Sequence, residues 1–166
     1  MAALPTDLTE AEVRARGLAT GLVDNKVCAI DDNLAAAASR MWDCDLGCLP
    51  VLDAQGRVAG MITDRDISVA VATKGRTADR IAVREVACDQ LVHTCVIGDD
   101  TTAALKTMQT YKVRRLPVVN AQGHLQGIVS LNDIVTHAGA ASSARIVSTL
   151  ASICDRRGRI SEPSAA

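Results

Sequence analysis

The sequence predicts an α+β fold made of two pseudo-symmetric β-α-β-β-α repeats, packed on one another as a single module. Three observations carry that expectation. Residues 28–67 align on residues 95–134 without a gap. Fifteen of the forty aligned positions are identical, among them Asp32/Asp99, Met41/Met108, Leu49-Pro50-Val51/Leu116-Pro117-Val118, Gly56/Gly123, Gly60/Gly127 and Asp66/Asp133. Short apolar runs, capping residues and glycine turns also recur in the same order in both copies. An internal repeat fixes the building unit before any secondary structure is assigned. Units this short cannot each bury a full core, so they pack together about a pseudo-twofold axis. Two related clefts between them are then the places to look for function.

The elements follow in order. Thr9-Glu10-Ala11-Glu12 has the spacing of a capping box and predicts a helix over 10–18, ended by Gly17 or Gly21. Each repeat opens on a short apolar run, Val27–Ile30 and His93–Ile97. Acidic or hydroxyl residues then start a helix, read as 34–44 in one copy and 102–111 in the other. Strands over 48–52 and 115–119 come next. The turns Asp53-Ala54-Gln55-Gly56 and Asn120-Ala121-Gln122-Gly123 lead into returning strands over 57–62 and 124–129, with glycine supplying the positive φ. A last helix starts at Thr63-Asp64 or at Ser130. A short helix is expected over 81–87, and a further one over 142–155 with Ile146, Leu150 and Ile153 along one stripe. The expected organisation is thus an N-terminal arm (1–22), repeat one (23–74), a linker (75–92), repeat two (93–139) and a C-terminal helix and polar tail (140–166).

Composition narrows the function classes. With one Trp, one Tyr, no Phe and a formal charge of −1, the chain has neither the basic surface nor the stacking platforms that nucleic acids select. No apolar run approaches a membrane span, and no basic-then-apolar leader is visible, so a cytoplasmic, reduced protein is expected. Cys28 and Cys95 read as buried free thiols. Cys44 and Cys48 lack a second Cys/His pair at zinc-finger spacing, so no metal site is expected. His93, His124 and His137 have no partner at a triad spacing, and no GxxxxGK loop is present, so catalysis has no visible home.

The sharpest motif is Gly-x-x-Thr/Ser-x-x-Asp, at Gly60–Asp66 and Gly127–Asp133, where a strand turns into a helix. Backbone amides and the positive end of a helix dipole suit an anion there. The carboxylate three residues on suits ribose hydroxyls. The same residues also make an ordinary cap, with the Thr or Ser side chain at the helix start. A second signal is Lys112-Val113-Arg114-Arg115, whose repeat-one counterpart is Asp45-Leu46-Gly47-Cys48. Arg114 and Arg115 suit phosphate oxygens, since guanidinium donors are planar and bidentate. One cleft is therefore expected to be much better equipped for phosphate than the other.

The doubled unit, with Leu-Pro-Val-Leu/Val-Asp/Asn-x-x-Gly-x-x-x-Gly-x-x-Thr/Ser-x-x-Asp over about residues 23–139, resembles a pair of CBS (cystathionine β-synthase) domains. The resemblance implies a regulatory, non-enzymatic module whose clefts take an adenosyl ligand: AMP, ADP, ATP, NAD or S-adenosylmethionine. By position it implies that Thr63 and Ser130 touch phosphate or ribose, that Asp66 and Asp133 take the ribose hydroxyls, and that Arg114 and Arg115 contact phosphate. The backbone of Cys28, Ala29 and Ile30 and of Cys95, Val96 and Ile97, with side chains near Pro50 and Pro117, would line the adenine pockets. It further implies a homodimer formed through helices and an effector protein that reads the ligand. The alternative is an empty dimerisation scaffold. A redox or enzymatic role for Cys44 and Cys48 forms a third class.

Overall fold

The computed structural model describes residues 26–88, 91–137 and 143–155. The helix expected over 10–18 and the polar tail over 156–166 lie outside these residues. The described chain runs β1 (Cys28–Ala29), α1 (Leu34–Asp43), β2 (Cys48–Leu52), β3 (Val58–Thr63), α2 (Asp64–Lys74), a 3-10 turn (Ala78–Arg80), α3 (Arg84–Ala87), β4 (Cys95–Val96), α4 (Thr101–Tyr111), β5 (Arg115–Val119), β6 (Leu125–Ser130), α5 (Leu131–His137) and α6 (Ser143–Cys154). The β-α-β-β-α order appears twice, as the sequence predicts. The helix expected over 81–87 is shorter, the single-turn α3 at Arg84–Ala87, and the 3-10 turn at Ala78–Arg80 precedes it.

Each repeat carries a three-stranded mixed sheet, β1-β2-β3 and β4-β5-β6. β1 lies parallel to β2 with Cys28 opposite Val51, and β4 lies parallel to β5 with Cys95 opposite Val118. The hairpin partners are antiparallel, and both bulge at the same aligned step, Val51/Leu52 and Val118/Val119. Gly56 and Gly123 sit at φ 74° and 82°, as these turns require. Matched registers place Cys48 opposite Thr63 and Arg115 opposite Ser130, so each strand start lies beside its own helix start. The repeats meet at their hairpins, where Arg57 bridges His124 and the Val58 N–H donates to Gly123 O at 3.4 Å.

Against the expectation that neither unit buries a core alone, two apolar clusters fill the interior, one per repeat, and aligned residues occupy both: Cys28/Cys95, Ala37/Ala104, Met41/Met108, Leu49/Leu116, Val51/Val118, Ile62/Val129 and Ile67/Ile134. Each cluster is closed by a segment outside the aligned stretch. Ile81, Val83 and Ala87 close the first, and Ile146 and Ile153 close the second. Gly60 makes the first closure possible, because a Cβ there would lie 2.5 Å from the Ala87 carbonyl oxygen. On α6 the buried face is Ile146, Thr149 and Ile153, whereas Leu150 is 38% exposed. The expected stripe is thus corrected by a few tens of degrees. Thr149 can take the inner position because its hydroxyl donates to Arg145 O at 2.9 Å.

Candidate functional site

Both motif helices start on the same built-in clamp. The Asp66 N–H donates to Thr63 Oγ1 at 3.1 Å, while Asp66 Oδ2 accepts from the Thr63 N–H at 3.0 Å and from its hydroxyl at 2.6 Å. In repeat two the Asp133 N–H donates to Ser130 Oγ at 3.1 Å, and Asp133 Oδ2 accepts from the Ser130 N–H at 2.8 Å and its hydroxyl at 2.5 Å. A further bond ties each helix to the residue just before the neighbouring strand, β2 or β5: Asp64 N–H to Gly47 O at 3.3 Å, and Leu131 N–H to Arg114 O at 2.8 Å. These residues therefore do cap their helices. At Asp66, Oδ1 accepts from no described residue, so capping leaves half of that carboxylate free to accept from something else.

The repeat-one motif lies in a cleft of about 1110 Å³ that Thr63, Asp64 and Asp66 line together with Lys112, Arg114 and Arg115 of repeat two. Gly47 and Cys48 line the same cleft. Sequence alignment sets Gly47-Cys48 and Arg114-Arg115 in separate, unequal clefts; the structure brings both into one. The reason is the pseudo-twofold packing, which lets equivalent strand starts face each other across the repeats. The Arg115 guanidinium lies close enough to the Cys48 thiol to act on its charge. Burial pushes that thiol up, and the Arg115 guanidinium pulls against the rise without cancelling it. Positive charge from Lys112, Arg114 and Arg115 thus faces the helix start at Thr63. That combination suits an anion bearing a hydroxylated group.

The other expected residues lie elsewhere. Cys95, Val96 and Ile97 line a second, small apolar pocket with Val118, Ile128 and Val129. Its volume of about 30 Å³ has room for a water rather than a purine. Cys28, Ala29, Ile30, Ser130 and Asp133 line neither pocket. Pro50 and Pro117 are fully buried and act through their carbonyls, which accept the Cys28 thiol at 3.7 Å and the Cys95 thiol at 3.8 Å. Burial is the first cause that pushes those thiols up, Cys28 to about 12 and Cys95 to about 11. None of the six cysteines forms a disulfide.

Sequence reasoning missed two contributors to the large cleft. His93 lines it while its ring stacks on Tyr111 with centroids 3.3 Å apart. The end of α6 supplies Ile153 and Cys154, followed by Asp155. Neither carries a local signal, because only the tertiary fold brings residues 93 and 153–155 to the motif. Among the described residues, no group of three or more His, Cys, Asp or Glu side chains could hold a metal ion. No helix among them is long and apolar enough to cross a membrane.

Comparison with known proteins gives this geometry a family. The CBS domain family model matches residues 23–73 and 83–139. The chain is 34% identical over 110 residues to hypoxic response protein 1 of Mycobacterium tuberculosis, covering 64% of this chain and 73% of that protein. A crystal structure of hypoxic response protein I with two coordinated zinc ions superposes with a TM-score of 0.65 at 30% identity, covering 75% of this chain and 98% of that one. A CBS domain pair solved with 5′-methylthioadenosine and S-adenosylmethionine shares the fold at a TM-score of 0.58 and 24% identity, over 66% of this chain and 85% of that one. The chain belongs to the CBS-domain family and carries one copy of the domain in each of its repeats.

Proposed function

We propose that this protein is a regulatory sensor, without catalysis of its own, that binds an adenosyl ligand such as AMP, ADP, ATP, NAD or S-adenosylmethionine in the large cleft. It would pass occupancy to an effector protein as a change of shape. One observation carries the reading: the Thr63/Asp66 helix start and the Arg114-Arg115 pair line one cleft large enough for a nucleotide. In this assignment Arg114 and Arg115 take phosphate, Thr63 and its helix start assist them, and Asp66 Oδ1 accepts ribose hydroxyls. Ser130 and Asp133 keep a capping role. A ligand shifts an equilibrium only by its differential affinity for two states, and movement of one repeat against the other supplies the two states.

The test is a thermal melt across the five ligands, with Asp66→Asn and Asp133→Asn alongside. A ligand at a hundred times its Kd stabilises the fold by about 2.7 kcal/mol, which for a domain of this size raises the melting point by roughly 5–10 °C. Both Asn variants lower the ligand-free stability by up to about 1 kcal/mol, since both weaken a cap. Only Asp66→Asn also lowers affinity, by about tenfold or more, because it removes a charge-assisted bond to the ribose. Absence of any melt shift at millimolar ligand leaves the empty scaffold as the better account. Equal affinity in both variants and in the parent would make Asp66 a cap and nothing more.

The same reading includes a homodimer built through helices. Val69 on α2, Val135 on α5 and Val147 on α6 are 52%, 43% and 63% exposed, and burying such side chains favours association. Light scattering at micromolar concentration is expected to return two chain masses, and a single chain mass would refute it.

A further inference from the structure

α6 follows both copies of the repeat, yet its last turn reaches the cations of the cleft. Lys112 Nζ donates to Asp155 O at 2.8 Å, and Arg114 Nη2 donates to Cys154 Sγ at 3.8 Å. The last carbonyls of a helix lack intrahelical partners and carry about half a negative charge between them. The end of α6, its last carbonyls together with the Asp155 side chain that lines the cleft, therefore sets negative charge on two of the three cations that face the Thr63 helix start.

The rest of α6 is held firmly. Ile146, Thr149 and Ile153 are buried, Arg145 Nη1 donates to Thr102 Oγ1 at 2.6 Å, and Ser152 Oγ donates to Gln109 O at 3.4 Å. Beyond Ile153, Cys154 and Asp155 are exposed, and what holds their end includes those two cation contacts. The helix thus has a fixed root and a tip held in part by Lys112 and Arg114. A phosphate group carries roughly −1.5 to −2 charges at neutral pH, more than the helix-end carbonyls offer the same two side chains, and it repels the Asp155 carboxylate that lines the cleft beside them.

We infer that the tip of α6 is an internal stand-in for the anionic part of the ligand, and that an anion entering the cleft takes Lys112 and Arg114 from it and loosens the tip. Occupancy of the cleft is then reported by the last turn of α6, a surface outside both repeats that a partner can read. This rests on the reading of the cleft as an anion site. The coupling is reciprocal: whatever holds the tip down weakens anion binding by the factor by which the anion loosens the tip.

Amide hydrogen exchange of residues 152–155 in the full chain tests it, with inorganic pyrophosphate and ADP as probes and calorimetry reporting whether each binds. Saturating probe is expected to speed exchange at 152–155 by roughly two- to fivefold, the range set by a cation at a helix end, while residues 145–149 stay unchanged. Lys112→Met without any probe is expected to do the same, since Lys112 is exposed and its loss removes only the clasp. Binding heat with unchanged or slowed exchange at 152–155 overturns the displacement and leaves the anion site standing. No binding heat with either probe overturns both. Unchanged exchange in ligand-free Lys112→Met overturns the clasp whatever the probes do.

Discussion

Between pH 9 and pH 11 the folded chain is expected to lose stability at up to about 2.7 kcal/mol per pH unit, from two thiols alone. Cys28 and Cys95 lie in the two apolar clusters, and burial raises them from the ordinary 9.0 to about 12 and about 11. Above pH 9 the unfolded chain has released both protons while the folded chain still holds them. The unfolded state then binds fewer protons, so stability falls as pH rises. The contribution is fully present below pH 9. It is lost through pH 11 for Cys95 and through pH 12 for Cys28. Urea unfolding at half-unit steps from pH 8 to pH 10.5 checks this. A Cys28→Ala, Cys95→Ala chain starts less stable but is expected to lack most of the slope, and the difference between the two chains isolates these thiols. Equal slopes in the two chains would show that burial does not hold these thiols protonated.

The second large effect concerns affinity. Replacing Arg114 and Arg115 together by Ala is expected to weaken a phosphorylated ligand by about a hundredfold or more, while adenosine binding barely changes. Charge-assisted hydrogen bonds contribute roughly 1.5–3 kcal/mol each, or about tenfold or more per arginine. The arginines are exposed at the start of β5, away from the buried clusters, so the fold survives their loss. Arg115→Ala carries a second readout: it leaves the burial of Cys48 unopposed, so that thiol should ionise at still higher pH. Calorimetry with AMP and adenosine on each single variant separates the two guanidinium groups. Equal losses for both ligands would remove phosphate from the account.

Much of the fold was legible in the chain. Strands β2 and β5 fall on the predicted 48–52 and 115–119, because the Leu-Pro-Val core and the flanking turn residues leave little choice of register. The capping clamps were legible too, since Thr63/Asp66 and Ser130/Asp133 act within a single helical turn. What escaped was everything decided by how the repeats meet. Gly47-Cys48 and Arg114-Arg115 share a cleft because strand starts face across a pseudo-axis, and no local pattern encodes that. The closing segments escaped for a related reason. Ile81, Val83 and Ala87 do for the first cluster what Ile146 and Ile153 do for the second, but the stretches share no alignable identity. The stripe of Ile146, Leu150 and Ile153 is split by the fold: Ile146 and Ile153 close the second cluster, and Leu150 lies at the edge of a face that Thr149 fills.

Those closing segments also set the order in which the ribosome can deliver a finished interior. All residues of the first cluster lie between Cys28 and Cys88, so the first half has its whole core once that stretch has left the exit tunnel. The second cluster begins at Cys95 and is not complete until Ile153. Domains fold N-terminal first during synthesis, at roughly 5–20 residues per second. For the seconds needed to make residues 95–153, a closed first half thus waits beside a nascent second half whose sheet has no lid. In that interval the unfinished copy can be sheltered by the finished one, its own twin in sequence and shape.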